Sequence, residues 1–595
     1  MYSDEKNTQI LLSLLKQYGI KKFIIAPGGA NIPISGSIEN DKFFEVFSCV
    51  DERSAGYMAL GMYEETKEII VVSCTGATAS RNLIPSMTEA YYRKIPIIFV
   101  TSMLGGNDFI GHLYAQNIDR TSIQKDIARI SVHLPIIKDK NDEWYCNIQV
   151  NKAIHELTNQ GGGPVHINLP TSYSGMFTTK LLPKSKLITK IEKSKKLPNL
   201  NANKIIIFIG SKNNLCDKTT NAIDKFCEHY NAFVAYDHSS NYKGNYGILM
   251  SLIVSNFSNY NQIWKNLSPN LIIHLGEVSG DYASTSLLEK AKDVWRVSED
   301  GQIRDRAKKL SLVFHGSEID FFKSFKYLNS TKKNVSYYLS FKNIDDKLRK
   351  SIKHLPFSNI FIASRMTKII PKESNLFFGI LHSLRSWNFF NIDRSIRCSS
   401  NVGGFGIDGC LSTMIGSSIA NKNKLNFSII GDLAFFYDMN ILGNRHISSN
   451  VKILIINNGC GTEFRTTGHI ANQFKQDTMK YIAAGGHYLS GNDGDSKIID
   501  NDIREKKSLV RSLCGPLGFE YISSSNSTDF EEKKHQFINE TSKPIIFECF
   551  VDSDKDTEAL ENISSISKGL KDYIFRITKK YLPVNLKNKI KKIVG

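Results

Sequence analysis

Short apolar runs alternate with amphipathic helical stretches along most of the chain, and this alternation restricts the fold more than any other feature. Strand, helix and strand at this spacing indicate parallel βαβ units, because a crossover helix must return the chain before the next parallel strand begins. We therefore predict an α/β protein with three doubly wound parallel sheets in succession. The main predicted strands are KKFII, EIIVVSC, IPIIFVTS, KIIIFIG, FVAYD, LIIHLG, DVWRVSED, FSIIGD, KILIINNG and PIIFECFVD.

The length and one polar stretch suggest where the domains begin and end. At about 150 residues per domain, a chain of 595 residues has room for three domains and additional elements. The stretch KSKLITKIEKSKKLPNLNAN is typical of a linker. We predict a first domain over residues 1–185, a central domain over 200–345, a third domain over 355–553 and a basic tail over 554–595.

The composition excludes several classes of protein. Apolar residues make up 41% of the chain and charged residues 23%, which is the profile of a soluble globular protein. No apolar run approaches the ~20 residues that a membrane-spanning helix needs. The polar N-terminus MYSDEKNTQI is unlike a secretory signal. The ten cysteines occur singly, without a CxxC pair, which indicates reduced thiols and a cytoplasmic protein.

Much of the positive charge lies in the last residues of the chain. The net charge is +18, and Lys568–Gly595 contains nine basic residues against one acidic residue. The remainder is only mildly basic, so we expect no nucleic-acid partner. Apolar residues recur at helical spacing in this tail, among its lysines. The tail could therefore rest on an anionic membrane surface, or its apolar stripe could pack back onto the body.

The strongest chemical pattern lies in the third domain, where two apolar strands end in polar residues. Asp432 directly follows the first strand, and Asn458 follows the second. The carboxyl ends of parallel strands meet at one edge of a sheet, where ligands bind in open α/β folds. Asp432, the side-chain oxygen of Asn458 and a backbone carbonyl best placed at Cys460 would suit Mg²⁺. The alternative is a pair of ordinary turns, since Asp and Asn are common in turns.

A glycine-rich segment invites a different interpretation. Gly404–Gly409 matches GxGxxG and precedes a predicted helix, as in a dinucleotide-binding loop. No clear strand with an acidic residue about 20 positions later completes a Rossmann unit, which argues against a dinucleotide.

Taken together, the two strand ends resemble the diphosphate-binding signature of thiamine diphosphate-dependent enzymes. The first domain independently resembles the same family. It has a glutamate before a helix of small residues, a strand that ends in a glycine turn, and an Ala-Tyr pair before a strand that begins with proline. It also has a segment in which an acidic residue follows a glutamine. The corresponding runs are Val50–Tyr57, Val71–Ala77, Asn82, Glu89–Tyr92, Ile95–Ile97 and Ala115–Asp119. The resemblance covers nearly the whole chain.

The resemblance implies roles for particular residues. It assigns catalysis to Glu52 and Gln116, with Glu52 favouring the imino tautomer of the cofactor's aminopyrimidine. It places thiamine diphosphate against Thr75, Asn82, Gly406, Ile407, Gly431, Leu433, Ala434 and Gly461, and Mg²⁺ on Asp432, Asn458 and Cys460. In this family Ile407 would force the cofactor into a bent shape. No FAD is expected. The first and third domains would bind the pyrimidine and the diphosphate, and they would meet across a homodimer or a dimer of dimers.

The implied reaction is decarboxylation of a 2-oxo acid, with transfer of the resulting acyl-anion equivalent to an acceptor. Simple decarboxylation to an aldehyde is one alternative, and a non-catalytic scaffold with the same fold is another. The intact Glu52, Asp432 and Asn458 argue against the scaffold.

Within the family, the chain most resembles the menaquinone-pathway synthases that add a succinyl semialdehyde unit to isochorismate. Arg385 falls where those enzymes keep a substrate-carboxylate arginine, and we regard Asn31 and His112 as further candidates for substrate binding. Two arginines of that pattern are absent: the first glycine loop reads Pro27–Asn31, and Val402 follows Asn401. Because a guanidinium binds carboxylates in a bidentate fork, we expect shared chemistry with different substrates.

Overall fold

A computed structural model describes residues 1–569 except for 93, 106–122, 160–161, 193–195, 201, 213–214, 258–260, 326–333, 467–468, 475–480 and 487–500. Its strands form three sheets, and every strand pair with a described register is parallel. The α/β class and the three sheets are therefore confirmed. The chain divides into two compact units, residues 1–191 with 301–313 and residues 192–300 with 314–595.

The first sheet has six strands in the order β2-β1-β3-β4-β6-β5. Its strands are β1 Lys22–Ile25, β2 Glu45–Ser48, β3 Ile70–Cys74, β4 Ile97–Leu104, β5 Ser131–His133 and β6 Val165–Thr171. Its helices are α1 Lys6–Gln17, α2 Ile32–Ile38, α3 Glu52–Thr66, α4 Ala77–Asn82, α5 Ile84–Tyr92 and α6 Lys140–Glu156.

Helices cover both faces of this sheet, which explains why its central strands are apolar at consecutive positions. Val71 and Ile98 belong to one apolar cluster, and Val72 and Phe99 belong to the cluster on the opposite face. All four side chains are fully buried. The ends of these strands are thereby held in place on both sides.

The second sheet has seven strands in the order β10-β9-β8-β11-β12-β13-β7. Its strands are β7 Thr189–Glu192, β8 Ile205–Ile209, β9 Ala232–Tyr236, β10 Gly247–Leu249, β11 Leu271–Leu275, β12 Asp293–Ser298 and β13 Leu310–His315. The helices of this region are α7 Asp217–Tyr230, α8 Met250–Phe257, α9 Asn261–Leu267, α10 Tyr282–Thr285, α11 Glu318–Lys323 and α12 Ser336–Lys350. The predicted linker thus contains a strand, β7.

The third sheet has six strands in the order β15-β14-β16-β17-β19-β18. Its strands are β14 Asn375–Phe378, β15 Arg397–Ser400, β16 Asn426–Gly431, β17 Val451–Asn457, β18 Glu520–Ser524 and β19 Ile545–Phe550. Its helices are α13 Asn359–Met366, α14 His382–Trp387, α15 Cys410–Ala420, α16 Asp432–Asp438, α17 Asn501–Lys506, α18 Leu509–Cys514, α19 Ser527–Ile538 and α20 Ser553–Ser564.

Helix α20 corrects the predicted start of the tail at residue 554. Asp556, Ala559 and Ile563 are buried on it, so the helix is part of the folded body. Chain packing continues as far as Ser567, whose backbone N–H donates to Asn256 Oδ1 at 2.9 Å. The basic stretch after residue 569 lies outside the described residues. None of the described helices is long and apolar enough to cross a bilayer.

Candidate active site

Glu52 is the first residue of α3, at the carboxyl edge of the first sheet. Strand β2 ends at Ser48 and α3 begins at Glu52, so the glutamate predicted to precede a small-residue helix is the first residue of that helix. Asp51 caps the helix by accepting the backbone N–H of Arg53 at 2.9 Å. Glu52 Oε2 accepts a hydrogen bond from Asn82 Nδ2 at 3.1 Å. Two predicted cofactor residues, 30 positions apart in the chain, are therefore in contact.

Thr75 follows β3 and lies against the first glycine loop. A Cβ added to Gly28 would come within 2.5 Å of Thr75 Cγ2, so only glycine lets the loop pack this closely. The side chain of Thr75 is half-buried. The loop and the end of β3 form one surface at the same sheet edge as Glu52.

Asn31 is a buried scaffold residue in this structure. Its Nδ2 donates to the carbonyl oxygens of Ala26 at 3.1 Å and Ser73 at 3.2 Å. Its Oδ1 accepts the hydroxyls of Ser73 at 2.6 Å and Ser102 at 3.3 Å. Both ends of the amide are saturated, which argues against the predicted contact with substrate. His112 and Gln116 lie outside the described residues, and their roles stay predictions.

In the third sheet, strand register brings Asp432 and Asn458 to the same edge. Gly431 of β16 pairs with Ile456 of β17, so Asp432 is level with Asn457, the residue before Asn458. Asp432 begins α16 and is only 6% exposed. Leu433 and Ala434 follow it on the first turn and are half-buried.

Burial raises the pKa of Asp432 to about 7, because a desolvated carboxylate is costly. The guanidinium of Arg504 and the backbone N–H of Leu433 oppose this shift. The carboxylate therefore lies where a further positive charge would stabilise its ionised form.

The loop after β17 orients the other predicted metal ligands. Asn458 Nδ2 donates to Asp556 Oδ2 at 3.1 Å, and Asn458 Oδ1 accepts the Cys460 N–H at 3.3 Å. The donation to Asp556 fixes which end of the amide faces the loop. Gly461 continues the turn, and its N–H donates to the Ala483 carbonyl at 2.6 Å.

Gly459 in this loop has a positive φ of 74°, the left-handed region that favours glycine. A Cβ at this position would also lie 2.8 Å from Arg504 Nη1. Arg504 in turn donates to the Val551 carbonyl at 2.7 Å. Close packing against this arginine therefore requires glycine.

Gly406 and Ile407 lie in the loop between β15 and α15. Ile407 is half-buried and Gly406 is exposed. The Phe405 ring stacks on Tyr282, with centroids 5.6 Å apart. Strand β15 is at the sheet edge and is separated from β16 by β14. A dinucleotide-binding unit requires the glycine loop to join neighbouring strands, so the topology agrees with the rejection of that interpretation.

Arg385 on α14 is already engaged within the protein. Its Nη1 is hydrogen bonded to Glu463 Oε1, and its guanidinium lies 4.2 Å from the centroid of the Tyr282 ring. Glu463 Oε2 is also 3.4 Å from His382 Nε2. Burial is the main cause of a lowered pKa at His382, which favours the neutral imidazole. Binding of a substrate carboxylate by Arg385 stays a prediction, and Glu463 competes with it.

Sequence reasoning missed four residues around this edge: Tyr282, Glu463, Arg504 and Asp556. Each acts through a partner distant in sequence; Asp556, for example, is 98 positions from Asn458. Only Glu463 could have been found from the sequence, because it lies two residues after the predicted cofactor residue Gly461 in the segment that follows β17.

Comparisons with known proteins point in the same direction. Residues 6–123 match the family model of the thiamine pyrophosphate enzyme N-terminal TPP binding domain. A 2-succinyl-5-enolpyruvyl-6-hydroxy-3-cyclohexene-1-carboxylate synthase of Phocaeicola vulgatus is 29% identical over 582 residues, covering 94% of this chain and 98% of the relative. The synthase of the same name from Bacteroides thetaiotaomicron is 29% identical over 589 residues, covering 94% and 99%.

A further synthase of that name, from Flavobacterium psychrophilum, is 29% identical over 544 residues, covering 85% of this chain and 96% of the relative. The likeness therefore extends far beyond the N-terminal domain and includes both strand ends of the third sheet. The chain is a thiamine diphosphate-dependent enzyme, similar over nearly its whole length to these synthases.

Proposed function

We propose that the chain is a Mg²⁺-dependent carboligase, which decarboxylates a 2-oxo acid and transfers the acyl-anion equivalent to an acceptor. The observation that carries this proposal is the arrangement of Asp432, Asn458 and Cys460 at the carboxyl ends of two adjacent parallel strands. The names of the similar synthases describe a carboxylate with an added succinyl group. That chemistry favours carboligation over simple release of an aldehyde.

The donor atoms at this edge fit Mg²⁺. Asp432 offers a buried carboxylate, Asn458 an amide oxygen and Cys460 a backbone carbonyl, all hard oxygen ligands. Among the described residues, no group of three or more His, Cys, Asp and Glu side chains could hold a metal. A cation here would therefore depend on amide and carbonyl oxygens as well as Asp432, and on diphosphate oxygens and water.

The surroundings of Asp432 also fit a diphosphate. The backbone N–H groups at the start of α16 face the same edge, and Gly431, Ala434 and Gly461 are small enough to permit close approach. A Cβ built on Gly431 meets no atom within 4 Å, so space remains beside the strand end. Thiamine diphosphate bound here would supply the electron sink for the departure of carbon dioxide.

Glu52 would hold a proton at the pyrimidine end. Its carboxylate would hydrogen-bond a pyrimidine ring nitrogen, while Asn82 keeps it oriented through the 3.1 Å bond to Oε2. Thr75 would line the same surface. We propose that Ile407 supplies the apolar contact that fixes the shape of the cofactor.

The absence of arginines from the loop Pro27–Asn31 and from position 402 supports a difference in substrate from the similar synthases. Fewer guanidiniums leave fewer bidentate contacts for carboxylates. We therefore propose shared bond-making chemistry with a different donor, a different acceptor, or both.

Carbon dioxide release from a panel of 2-oxo acids, with and without candidate acceptors, tests the proposal. Cofactor retained by the purified protein is measured in parallel by thiochrome fluorescence. We expect retention that depends on Mg²⁺, and release that rises when the correct acceptor is present. Retained cofactor with acceptor-independent release would indicate a simple decarboxylase. Absence of both retention and release would favour the scaffold.

A further inference from the structure

A cavity of about 470 Å³ lies in the first unit, beside helices α1 and α6. Four segments of the chain line it: the start of α1, the first half of α6, residues 183–188 and residues 305–308. We call this space the lysine cavity. Its volume suits a small organic molecule.

The lysine cavity and Glu52 lie on opposite faces of the first sheet. Ile10 of α1 lines the cavity and belongs to the apolar cluster that α1 and α6 cover. Ala55 and Ala59 of α3, the helix that Glu52 begins, belong to the cluster on the other face. A ligand in the lysine cavity is therefore separated from Glu52 by the sheet.

The lining carries an excess of positive charge. Five lysines and two acidic residues, Glu143 and Asp305, contribute to it. The carboxylate of Asp305 is buried and accepts the indole N–H of Trp144 and the backbone N–H of Lys309, so it offsets little of the charge at the surface. The lysines are Lys6, Lys140, Lys184, Lys186 and Lys308.

Several of these ammonium groups are accessible to a ligand. The side chain of Lys140 is 90% exposed and that of Lys6 is 60% exposed, and both share Glu143, at 2.5 Å and 3.8 Å. Lys184 is exposed and forms no ion pair or hydrogen bond within the described part of the chain. A concave surface lined by charges of one sign concentrates ions of the opposite sign. The cavity therefore favours anions.

Trp144 gives the cavity an apolar wall in a fixed position. Its indole N–H donates to Asp305 Oδ2 at 3.3 Å, and Lys308 Nζ lies 5.3 Å from the ring centroid. Pro183, which is exposed, adds to the apolar lining. Because the ring is held before a ligand arrives, contact with it costs little ordering. An anion with an apolar body therefore binds better than the anion alone.

The kind of cation in the lining selects among anions. All the basic residues that line the described cavity are lysines. A guanidinium presents a planar fork that matches a carboxylate, whereas ammonium groups act as point charges and can surround a phosphate. A phosphate monoester carries nearly two negative charges on one group at neutral pH, and lysines from separate segments can share them.

We infer that the lysine cavity is a binding site for a phosphate monoester with a small apolar or aromatic body. Neither Glu52 nor Asp432 lines the cavity, so the inference does not depend on the proposed function. The ligand is a third molecule, in addition to the cofactor and the substrates.

Phenyl phosphate is the probe, and three compounds each change one of its properties. Phenylmalonate keeps the ring and the double negative charge but carries carboxylates, inorganic phosphate lacks the ring, and benzyl alcohol lacks the charge. Affinities for the full chain are measured by ligand-observed NMR titration at low salt, about 50 mM, where screening is weak. Saturating thiamine diphosphate and Mg²⁺ are present, so that the probe cannot occupy the proposed diphosphate site.

We expect phenyl phosphate to bind about tenfold more tightly than inorganic phosphate or benzyl alcohol, and at least about threefold more tightly than phenylmalonate. Lys184→Glu and Lys140→Glu each replace an attraction by a repulsion, in two separate segments of the lining. Each should weaken binding of phenyl phosphate about tenfold and leave binding of benzyl alcohol unchanged.

Lys42→Glu is the matched control, because Lys42 is exposed in the loop between α2 and β2 and is not part of the lining. It should bind all four compounds as the wild type does. Melting temperatures without ligand identify any variant that fails to fold, and the two lining variants serve as checks on each other.

Absence of phenyl phosphate binding, equal affinity for phenylmalonate, or unchanged affinity in the folded Lys184→Glu and Lys140→Glu proteins would each overturn the inference. Where phenyl phosphate binds as expected, competition identifies the source of the phosphate. Displacement by AMP indicates a nucleotide, displacement by dihexanoylphosphatidate indicates a lipid headgroup, and displacement by neither indicates a smaller ester.

Discussion

At the scale of single residues, the sequence predicted the groups that follow regular strands and missed the groups that act through distant partners. Asp432 and Asn458 could be predicted to share an edge because parallel register is dictated by the order of strands. The pairing of Glu463 with Arg385 could not be predicted, because 78 positions separate the two residues and no local pattern links them. The saturation of Asn31 by Ser73 and Ser102 was equally hidden, since it depends on how three segments pack.

Replacing Glu52 by Gln should leave the fold intact and reduce turnover by about 10²–10⁴-fold, the usual contribution of a positioned acid or base. The amide cannot exchange the proton that the carboxylate holds. Turnover under saturating cofactor is the measurement, with Glu65→Gln at the other end of α3 as the control. Near-normal turnover of Glu52→Gln would remove this residue from the mechanism.

Replacing Asp432 by Ala should weaken Mg²⁺-dependent retention of thiamine diphosphate by at least about tenfold, because a buried anionic ligand is deleted. Retention is followed by thiochrome fluorescence after gel filtration, with and without a chelator. Asp529→Ala is a suitable control, since Asp529 forms an ion pair with Lys533 on α19. If neither Asp432→Ala nor chelation changes retention, the metal binds elsewhere.

At the scale of strands and helices, apolar runs in the sequence predicted most of the central strands. Exposed or short strands, and a mostly polar helix, were not predicted. Strand β2 was missed because its four residues are all exposed and lack a continuous apolar pattern. Strand β7 was hidden in a lysine-rich stretch that has the composition of a linker. Helix α20 was assigned to the tail because its mostly polar sequence conceals the buried face around Asp556.

His238, in the turn after β9, predicts an acid sensitivity of the fold. Its Nε2 lies 2.9 Å from the Phe390 carbonyl, and burial lowers its pKa from 6.5 to about 4. The unfolded chain therefore binds the proton more readily, and stability falls as the pH drops from about 6.5 towards 4. At pH 4.5 the loss amounts to about 2–3 kcal/mol.

Replacing His238 by Gln, which retains an N–H donor, should reduce the fall in melting temperature between pH 7 and pH 4.5. His229→Gln provides a comparison, because His229 is exposed on α7, where its Nδ1 lies 2.9 Å from the Lys225 carbonyl oxygen. The same pH dependence in the wild type and in His238→Gln would show that other groups control acid unfolding.

Truncation after Ser567 tests whether the basic tail docks on an anionic surface. The packed part of the chain, including the contact of Ser567 with Asn256, is kept. We expect the truncated enzyme to keep its turnover and to lose binding to vesicles that contain phosphatidylserine, since each basic residue contributes roughly 1 kcal/mol near such a surface. Failure of the full chain to bind these vesicles, or unfolding on truncation, would favour packing of the tail onto the body.

At the scale of the whole molecule, the two halves of the proposed site lie in different units. Glu52 belongs to residues 1–191, and Asp432 belongs to residues 314–595. The family resemblance predicts that they act together across an interface between two copies of the chain. The fold class could be predicted from strand alternation alone, but an assembly requires surfaces that no local pattern reveals.

We expect the active protein to be at least a homodimer, with an interface that buries more than about 2,000 Å². Sedimentation velocity over a range of concentrations, with activity measured at each, is the test. Mixing Glu52→Gln chains with Asp432→Ala chains should restore part of the activity, because each mixed dimer contains one intact site. A fully active monomer, or no restoration after mixing, would contradict shared sites.

The first unit is discontinuous in sequence, which limits where the chain can be cut into fragments that fold. Residues 301–313 belong to the same unit as residues 1–191. In this unit Asp305 accepts the indole N–H of Trp144 at 3.3 Å, and Lys308 Nζ lies 5.3 Å from the centroid of the Trp144 ring. A fragment ending at Ile191 would leave that indole without either neighbour. A fragment that carries Glu52 and folds by itself therefore needs residues 301–313 fused to residues 1–191. In a chimera of related proteins, we expect crossovers to be tolerated best outside these two ranges.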